Sequence, residues 1–301
     1  DAPAIFSSVV GPAFKDKNFL TYLYALTGSQ RMLSLASRNT DFVTLMPNNT
    51  QFEKADPAMR LYSTTTGKQL QQYSSDAGDF VEMSSASMER IVDMHTAQNI
   101  KSLSDNGTQV VETNLPYNYW FVKDGKITTN ALFNQQLEPT YTGSPFVDLH
   151  LQANNGEAWD NGNSYSYDAE AIFEAASGDG LARRLAICND KNYSYYMFAQ
   201  LLQKAGLSVG NGLSTSIVLP GDRFFAFIPT NAAIAANLDK IPGAGKLTVN
   251  DGILSGTPSS SEKTQLANYL RSYFVTSTMN SFTSYPYIGS SCKGELNTTG
   301  S

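Results

Sequence analysis

Two histidines, His95 and His150, are the imidazoles this chain can offer to chemistry. A nucleophilic serine needs an imidazole within hydrogen-bond reach and an acid to orient it. No G-x-S-x-G elbow presents such a serine. In SASMERIVDMHTAQ (85–98), Met88, Ile91, Val92 and His95 fall at i, i+3, i+4 and i+7, one face of a helix. A hydrogen-bonded core histidine is the expectation there. His150 sits in FVDLHLQA (146–153), where Phe146, Asp148, His150 and Gln152 share a strand face expected to meet solvent. Paired carboxylates can cleave glycosides if their separation is right. The candidates Glu157, Asp160 and Asp168 fall in a stretch read as a loop, without a motif. DNGNSYSYD (160–168) has the flavour of a calcium loop but lacks the closing bidentate glutamate. Phosphate-loop and dinucleotide fingerprints are missing. Two cysteines and two histidines do not make a usual structural zinc site. The expectation is a protein that is not an enzyme, with no metal and no cofactor.

Composition narrows the partners. Charged residues make up 16% of the chain, against a typical value of about 25%. Ser, Thr, Asn, Gln and Tyr take up the difference, as on secreted and cell-surface proteins. The net charge of −6 and the lack of a Lys/Arg cluster argue against nucleic acid. No apolar run approaches the roughly 20 residues of a membrane span. A start at Asp1 without a signal peptide says nothing about export. Four segments fit the N-glycosylation acceptor pattern, beginning at Asn48, Asn106, Asn192 and Asn297, which matters in a secreted eukaryotic setting. Cys188 and Cys292, if bonded, close a loop of about a hundred residues, worth about 4–5 kcal/mol in the chain-entropy model. The alternative is two separate thiols.

The elements that must position these groups come twice. FVTLMPNNTQF (42–52) and FFAFIPTNAAI (224–234) align Phe42 with Phe224, Pro47 with Pro229 and Asn49 with Asn231, an offset of 224 − 42 = 182 residues. Each is a β-prone run that stops at proline, where a ladder donor is lost. Asn48 or Thr230 and then Asn49 or Asn231 can cap the next turn or helix. A second pair of segments supports the repeat. SSSEKTQLANYLRSYFVTS (259–277) carries Leu266, Tyr269, Leu270, Tyr273 and Phe274 at helical spacing, with Ser259 and Glu262 at capping-box spacing. Setting His95 on Phe274 gives 274 − 95 = 179. A chain of 301 residues has room for two domains of about 150. The expected boundary lies between 155 and 180, giving domains 1–168 and 169–301.

Coarse reading places helices at 19–28, 30–37, 168–177, 181–189 and 193–207. Residues 61–84 and 239–261 look inserted in corresponding places and read as solvated loops, the second with a strand-turn-strand unit at Asn250-Asp251-Gly252. Helices segregated in sequence from strands predict an α+β domain.

With these motifs in place, the chain resembles the fasciclin-like domain family. FAFIPTNAAIAANL (225–238) matches the family's first motif well, and FVTLMPNNTQF matches it loosely, with Asn48 where threonine is usual. VDMHTA (92–97) and RSYFVT (271–276) resemble the second motif. VVETNLPYNYWFVKDGKI (110–127) and QANNGEAW (152–159) resemble the closing strands and their Asn-Gly turn. The resemblance covers most of 15–168 and 181–301. It implies two tandem domains, each a β-sandwich-like sheet core with packed helices, the second expected to stop short of its closing strands. The family's Tyr-His pair departs in both copies: Met94 precedes His95, and Phe274 follows Tyr273. The function implied is non-catalytic adhesion or binding of a surface protein or glycan, outside the cell or at its surface. In bacteria, a lipid anchor upstream would be in keeping with such families. The alternative is a carbohydrate-binding surface protein of a glycan-uptake system, carried by Tyr117, Tyr119, Trp120, Tyr285 and Tyr287. Pro47, Asn48, Asn49, His95, Pro229, Thr230, Asn231 and Tyr273 are the candidate motif residues, with structural roles expected of them before binding roles.

Overall fold

The computed structural model describes residues 4–116, 118–135, 142–175, 191–209, 214–215, 224–277 and 296–298. The chain is mixed α+β and divides into two compact units, 1–133 with 143–176, and 134–142 with 177–301. Cys188 and Cys292, the segment 181–189, Tyr117, Tyr285 and Tyr287 lie outside the described residues.

In the first unit, short helices lead into strand β1 (Phe42–Leu45). Strands β2 (Met59–Thr64), β3 (Gly67–Ser74) and β4 (Asp79–Glu82) form a separate antiparallel meander. After the helix Ser85–Met94 come β5 (Thr96–Gln98), β6 (Thr108–Glu112), β7 (Tyr119–Lys123), β8 (Lys126–Thr129), β9 (Val147–Leu151) and β10 (Gly162–Tyr167). The main sheet has seven strands in the order β5-β1-β10-β9-β8-β7-β6. β1 and β10 run parallel, Phe42 opposite Gly162, and every other neighbouring pair is antiparallel. The sheet curls almost into a barrel: Asn114, just past β6, donates from its N–H to Thr96 O on β5, the opposite edge. The core is therefore one curled sheet, where the family resemblance implied a sandwich.

Alternation along the central strands separates two cores. Val43 and Leu45 join Trp120, Val122, Ile127 and Tyr167 in the barrel interior. Phe42 and Met46 face the helices, against Val10, Tyr22 and Leu26. All four residues of β1 are buried, as in a strand covered on both faces. Asn161 is 1% exposed and fixes the helical layer to the start of β10. It accepts from Val9 N at 2.9 Å and donates to Leu35 O and Ser37 O at 2.7 and 2.8 Å.

Three expectations give way here. DNGNSYSYD, read as part of a loop, is largely strand: Gly162–Tyr167 is the mostly buried central strand β10. The helix expected over 168–177 is absent from 168–175. Gln51 O accepts from Ile172 N, and the Tyr167 hydroxyl from Phe173 N, so the backbone is held in a non-helical path while both side chains enter the core. Residues 61–84, read as a loop, are mostly the β2–β4 meander.

The second unit packs Phe198, Leu202, Ile234, Leu266, Leu270 and Phe274 from helices Tyr196–Lys204, Asn231–Asn237 and Ser260–Arg271 and from strand Phe274–Ser277. That strand pairs with Phe224–Ala226 and with Leu296–Thr298. A hairpin joins Thr248–Asn250 to Ile253–Ser255. Its turn residues Asp251 and Gly252 have φ of 47° and 76°, the left-handed pair that a tight hairpin demands.

Candidate functional site

The paired motifs build the same local device. In the first unit, β1 ends, buried Pro47 breaks the ladder, and Asn48 caps helix Asn49–Glu53. Asn48 Oδ1 accepts from Gln51 N at 2.9 Å, and Gln51 Oε1 accepts from Asn48 N at 2.8 Å, a complete capping box. In the second unit, Pro229 comes after strand Phe224–Ala226, and Thr230 Oγ1 accepts from Ala233 N at 3.3 Å to cap Asn231–Asn237. The next asparagine acts elsewhere. Asn49 accepts from Thr21 N at 2.9 Å and donates to Lys17 O at 3.0 Å. Asn231 accepts from Met197 N at 2.8 Å and donates to Tyr193 O at 2.6 Å. Each amide thus bridges a backbone C=O and the N–H four residues on, at the start of an earlier helix, Leu20–Gly28 or Tyr196–Lys204. The N–H is of the kind that a helix start leaves orphaned.

The strand register corrects one alignment. Ala226 pairs with Phe274 as Thr44 pairs with Thr96. Phe227 N donates to Tyr273 O as Leu45 N donates to His95 O. Tyr273, and not Phe274, therefore occupies the place of His95. The helix before it differs by one residue in where the strand takes over, and that slips the match made by apolar spacing.

His95 is fully buried at the end of helix Ser85–Met94. Its Nδ1 lies 2.7 Å from Ile91 O and its Nε2 2.9 Å from the Tyr167 hydroxyl. A carbonyl can only accept, so Nδ1 carries the proton and Nε2 accepts from the tyrosine. Tyr167 stacks on Phe173, ring centroids 4.0 Å apart. Burial lowers the imidazole pKa from 6.5 to about 4, the Ile91 bond opposing it. The imidazole is neutral and shut away from substrate. Tyr273 is partly buried, its hydroxyl 2.8 Å from that of Tyr269, and burial with this contact pushes its pKa up to about 12.

The remaining chemical candidates are dispersed. His150 Nε2 and Asp168 Oδ2 are an exposed pair at 2.7 Å. Asp160 accepts from Ser7 Oγ at 2.6 Å and pairs with Arg38 at 2.9 Å. Glu157 sits in a turn bridged to Asn154. Among the described residues no group of three or more His, Cys, Asp or Glu gathers to hold a metal. No helix of the described residues is long and apolar enough to cross a membrane.

A polar cavity of about 660 Å³ lies along the open seam of the barrel, bordered by Gln98 and Asn99 at the end of β5 and by Glu112 and Asn114 at the end of β6. On its wall Arg31 binds Asp93 through two bonds of 2.9 and 2.8 Å and also meets Glu89. Its charge is already balanced.

Of the aromatics expected to bind sugar, Tyr119 and Trp120 are among the described residues. Trp120 is fully buried, its indole N–H donating to Met94 O at 3.0 Å, and Tyr119 is half-buried. Tyr62 and Tyr73, on the meander, are 47% and 42% exposed. A period of two did signal them, in Arg60, Tyr62, Thr64 and Gln69, Gln71, Tyr73. The polar composition of the stretch concealed it.

Compared with known proteins, the chain matches no family model, and none of the curated proteins is similar to it.

Proposed function

We propose that the chain is a non-catalytic binding or adhesion module of an extracellular or cell-surface protein, built from two fasciclin-like domains. The observation that carries this reading is where the chemically capable residues are spent. His95 is a sealed core histidine, and Asn48, Asn49 and Asn231 hold backbone at helix starts. The matching asparagine bridges and strand registers support the two-domain part of the reading. The hydroxyl- and amide-rich surface supports the extracellular part. Partners are a surface protein or a glycan. A carbohydrate-binding surface protein is the second reading, favoured by the exposed aromatics of the meander.

The purified chain should bind a member of a surface-protein panel or a glycan array and turn over none of a panel of esters, glycosides and peptides. Turnover above buffer that disappears when one acid or serine is replaced would overturn the reading.

A further inference from the structure

The outer face of the β2–β4 meander collects a set of polar and aromatic side chains, with Tyr62 and Tyr73 exposed. Cross-strand partners share a face of a sheet. Arg60 opposes Gln71, Tyr62 opposes Gln69, and Tyr73 opposes Phe80. These six residues therefore lie on one side. The other side buries Met59 and Leu70 in the helical core.

Arg60 is fixed in place. Its Nε donates to Gln71 Oε1 at 2.9 Å, and Gln71 Nε2 donates to Gln69 Oε1 at 2.8 Å. Its guanidinium lies 4.6 Å from the Tyr62 ring centroid and 4.0 Å from that of Phe80. Phe80 meets Tyr73 edge-on at 5.6 Å. Among the described residues the terminal guanidinium nitrogens of Arg60 have no carboxylate partner, whereas Arg31 and Arg38 both do. An arginine fork held between two rings, with its outer N–H groups turned to no acid, is shaped for a planar carboxylate. The exposed rings of Tyr62 and Tyr73 offer faces on which the C–H side of a sugar can stack. The Gln69 amide N–H remains to donate to a ring or hydroxyl oxygen. Glu82, cross-strand from Gln71, can accept from sugar hydroxyls.

The geometry points to this face as the binding site for a carboxylate-bearing polysaccharide, a polyuronate, laid across the three strands. Arg60, without an acid partner among the described residues, supplies the complementarity locally, against a net charge of −6 that by itself disfavours a polyanion. A neutral glycan would leave the preset fork unused. A protein partner pairing edge to edge would use the strands' backbone and not this face. The inference rests on the binding-module reading and names the ligand class of one site within it.

The test is affinity electrophoresis of the full chain in native gels containing polygalacturonate or a neutral β-glucan. Polygalacturonate should retard the chain, less so as salt is raised, and the β-glucan should not. Arg60→Gln should weaken retardation by about tenfold or more, and Tyr62→Ala and Tyr73→Ala by roughly tenfold each, with unfolding midpoints near that of the parent. A chain of like charge to the polymer has no bulk attraction to it, so retardation reports a site. Absence of retardation, equal retardation by the neutral polymer, or an undiminished effect in Arg60→Gln overturns the proposal. Capture of a surface protein with indifference to both polymers sinks this site and leaves the binding-module reading intact. Cleavage of either polymer sinks that reading instead.

Discussion

Replacing His95 by glutamine should remove a defined part of the protein's sensitivity to acid. The imidazole is buried and neutral, with its pKa lowered to about 4 from 6.5. Between these values the unfolded chain binds a proton that the folded one refuses. Stability is therefore complete above about pH 6.5 and is lost as pH falls towards about 4. Each pH unit across that window is worth about 1.4 kcal/mol. The loss from this group reaches about 2 kcal/mol at pH 5 and about 3 kcal/mol at the lower end. Glutamine does not titrate and can still accept from the Tyr167 hydroxyl. At pH 8, His95→Gln should be less stable than the parent by about 1–2 kcal/mol, through poorer packing and the lost Ile91 bond. At pH 5 that gap should close or invert. Urea unfolding monitored by tryptophan fluorescence is the assay. The chain's two tryptophans, Trp120 and Trp159, are both buried in the first unit, so the signal reads that unit. Other groups titrate as well, but they are common to both proteins and cancel in the difference. A gap of the same size at pH 8 and pH 5 would refute the buried neutral imidazole.

The remaining tests concern the backbone. Asn49→Ala removes two bonds at the start of helix Leu20–Gly28 and should lower the fluorescence-detected stability by about 1–3 kcal/mol; no change would mean that water replaces the bridge. Asn231→Ala should raise amide exchange through helix Tyr196–Lys204, read by mass spectrometry, and protection equal to the parent's would count against the matching role. Gly162 has φ of +137°, and a Cβ there would stand 1.9 Å from Phe42 O. Gly162→Ala should therefore cost on the order of 3–5 kcal/mol, and a near-parental urea midpoint would contradict the close β1–β10 approach.

The sequence displayed the local punctuation of this fold better than its long-range pairing. Proline at a strand end, Asn48 or Thr230 at a cap, and Asp251-Gly252 in a turn are decided within a few residues, and each was legible. Strand β10 was not, because GNSYSY is polar by composition. Its burial comes from partners far along the chain: Ser164 meets Thr44 at 2.9 Å, and Tyr167 meets His95. Residues 168–175 include good helix formers, yet Gln51 and Tyr167 capture their backbone and override that propensity. For the candidate site, the most conspicuous described aromatic, Trp120, is a core residue. Trp120 looks like a binding residue until its indole N–H is found capping Met94 O in the core. Tyr62 and Tyr73 became visible as a surface once strand pairing put them beside Arg60.

The parallel pairing of β1 with β10 also governs how the first unit is made. Thr44 and Ser164, which touch across it, are 120 residues apart. A chain emerging from the ribosome at about 5–20 residues per second therefore holds β1 without one of its two neighbours for several seconds. Loop closure over that distance must precede the contacts that reward it, which makes folding slow for the size of the unit. Through that interval Phe42–Leu45, whose residues are all buried in the finished unit, is an open template for another chain. The last piece made closes the gap, and with it come the Gln51 and Tyr167 bonds that hold 167–173 down. Truncation before Gly162 should accordingly yield an aggregating fragment, and nascent chains stalled between β9 and β10 should be the ones that chaperones retain.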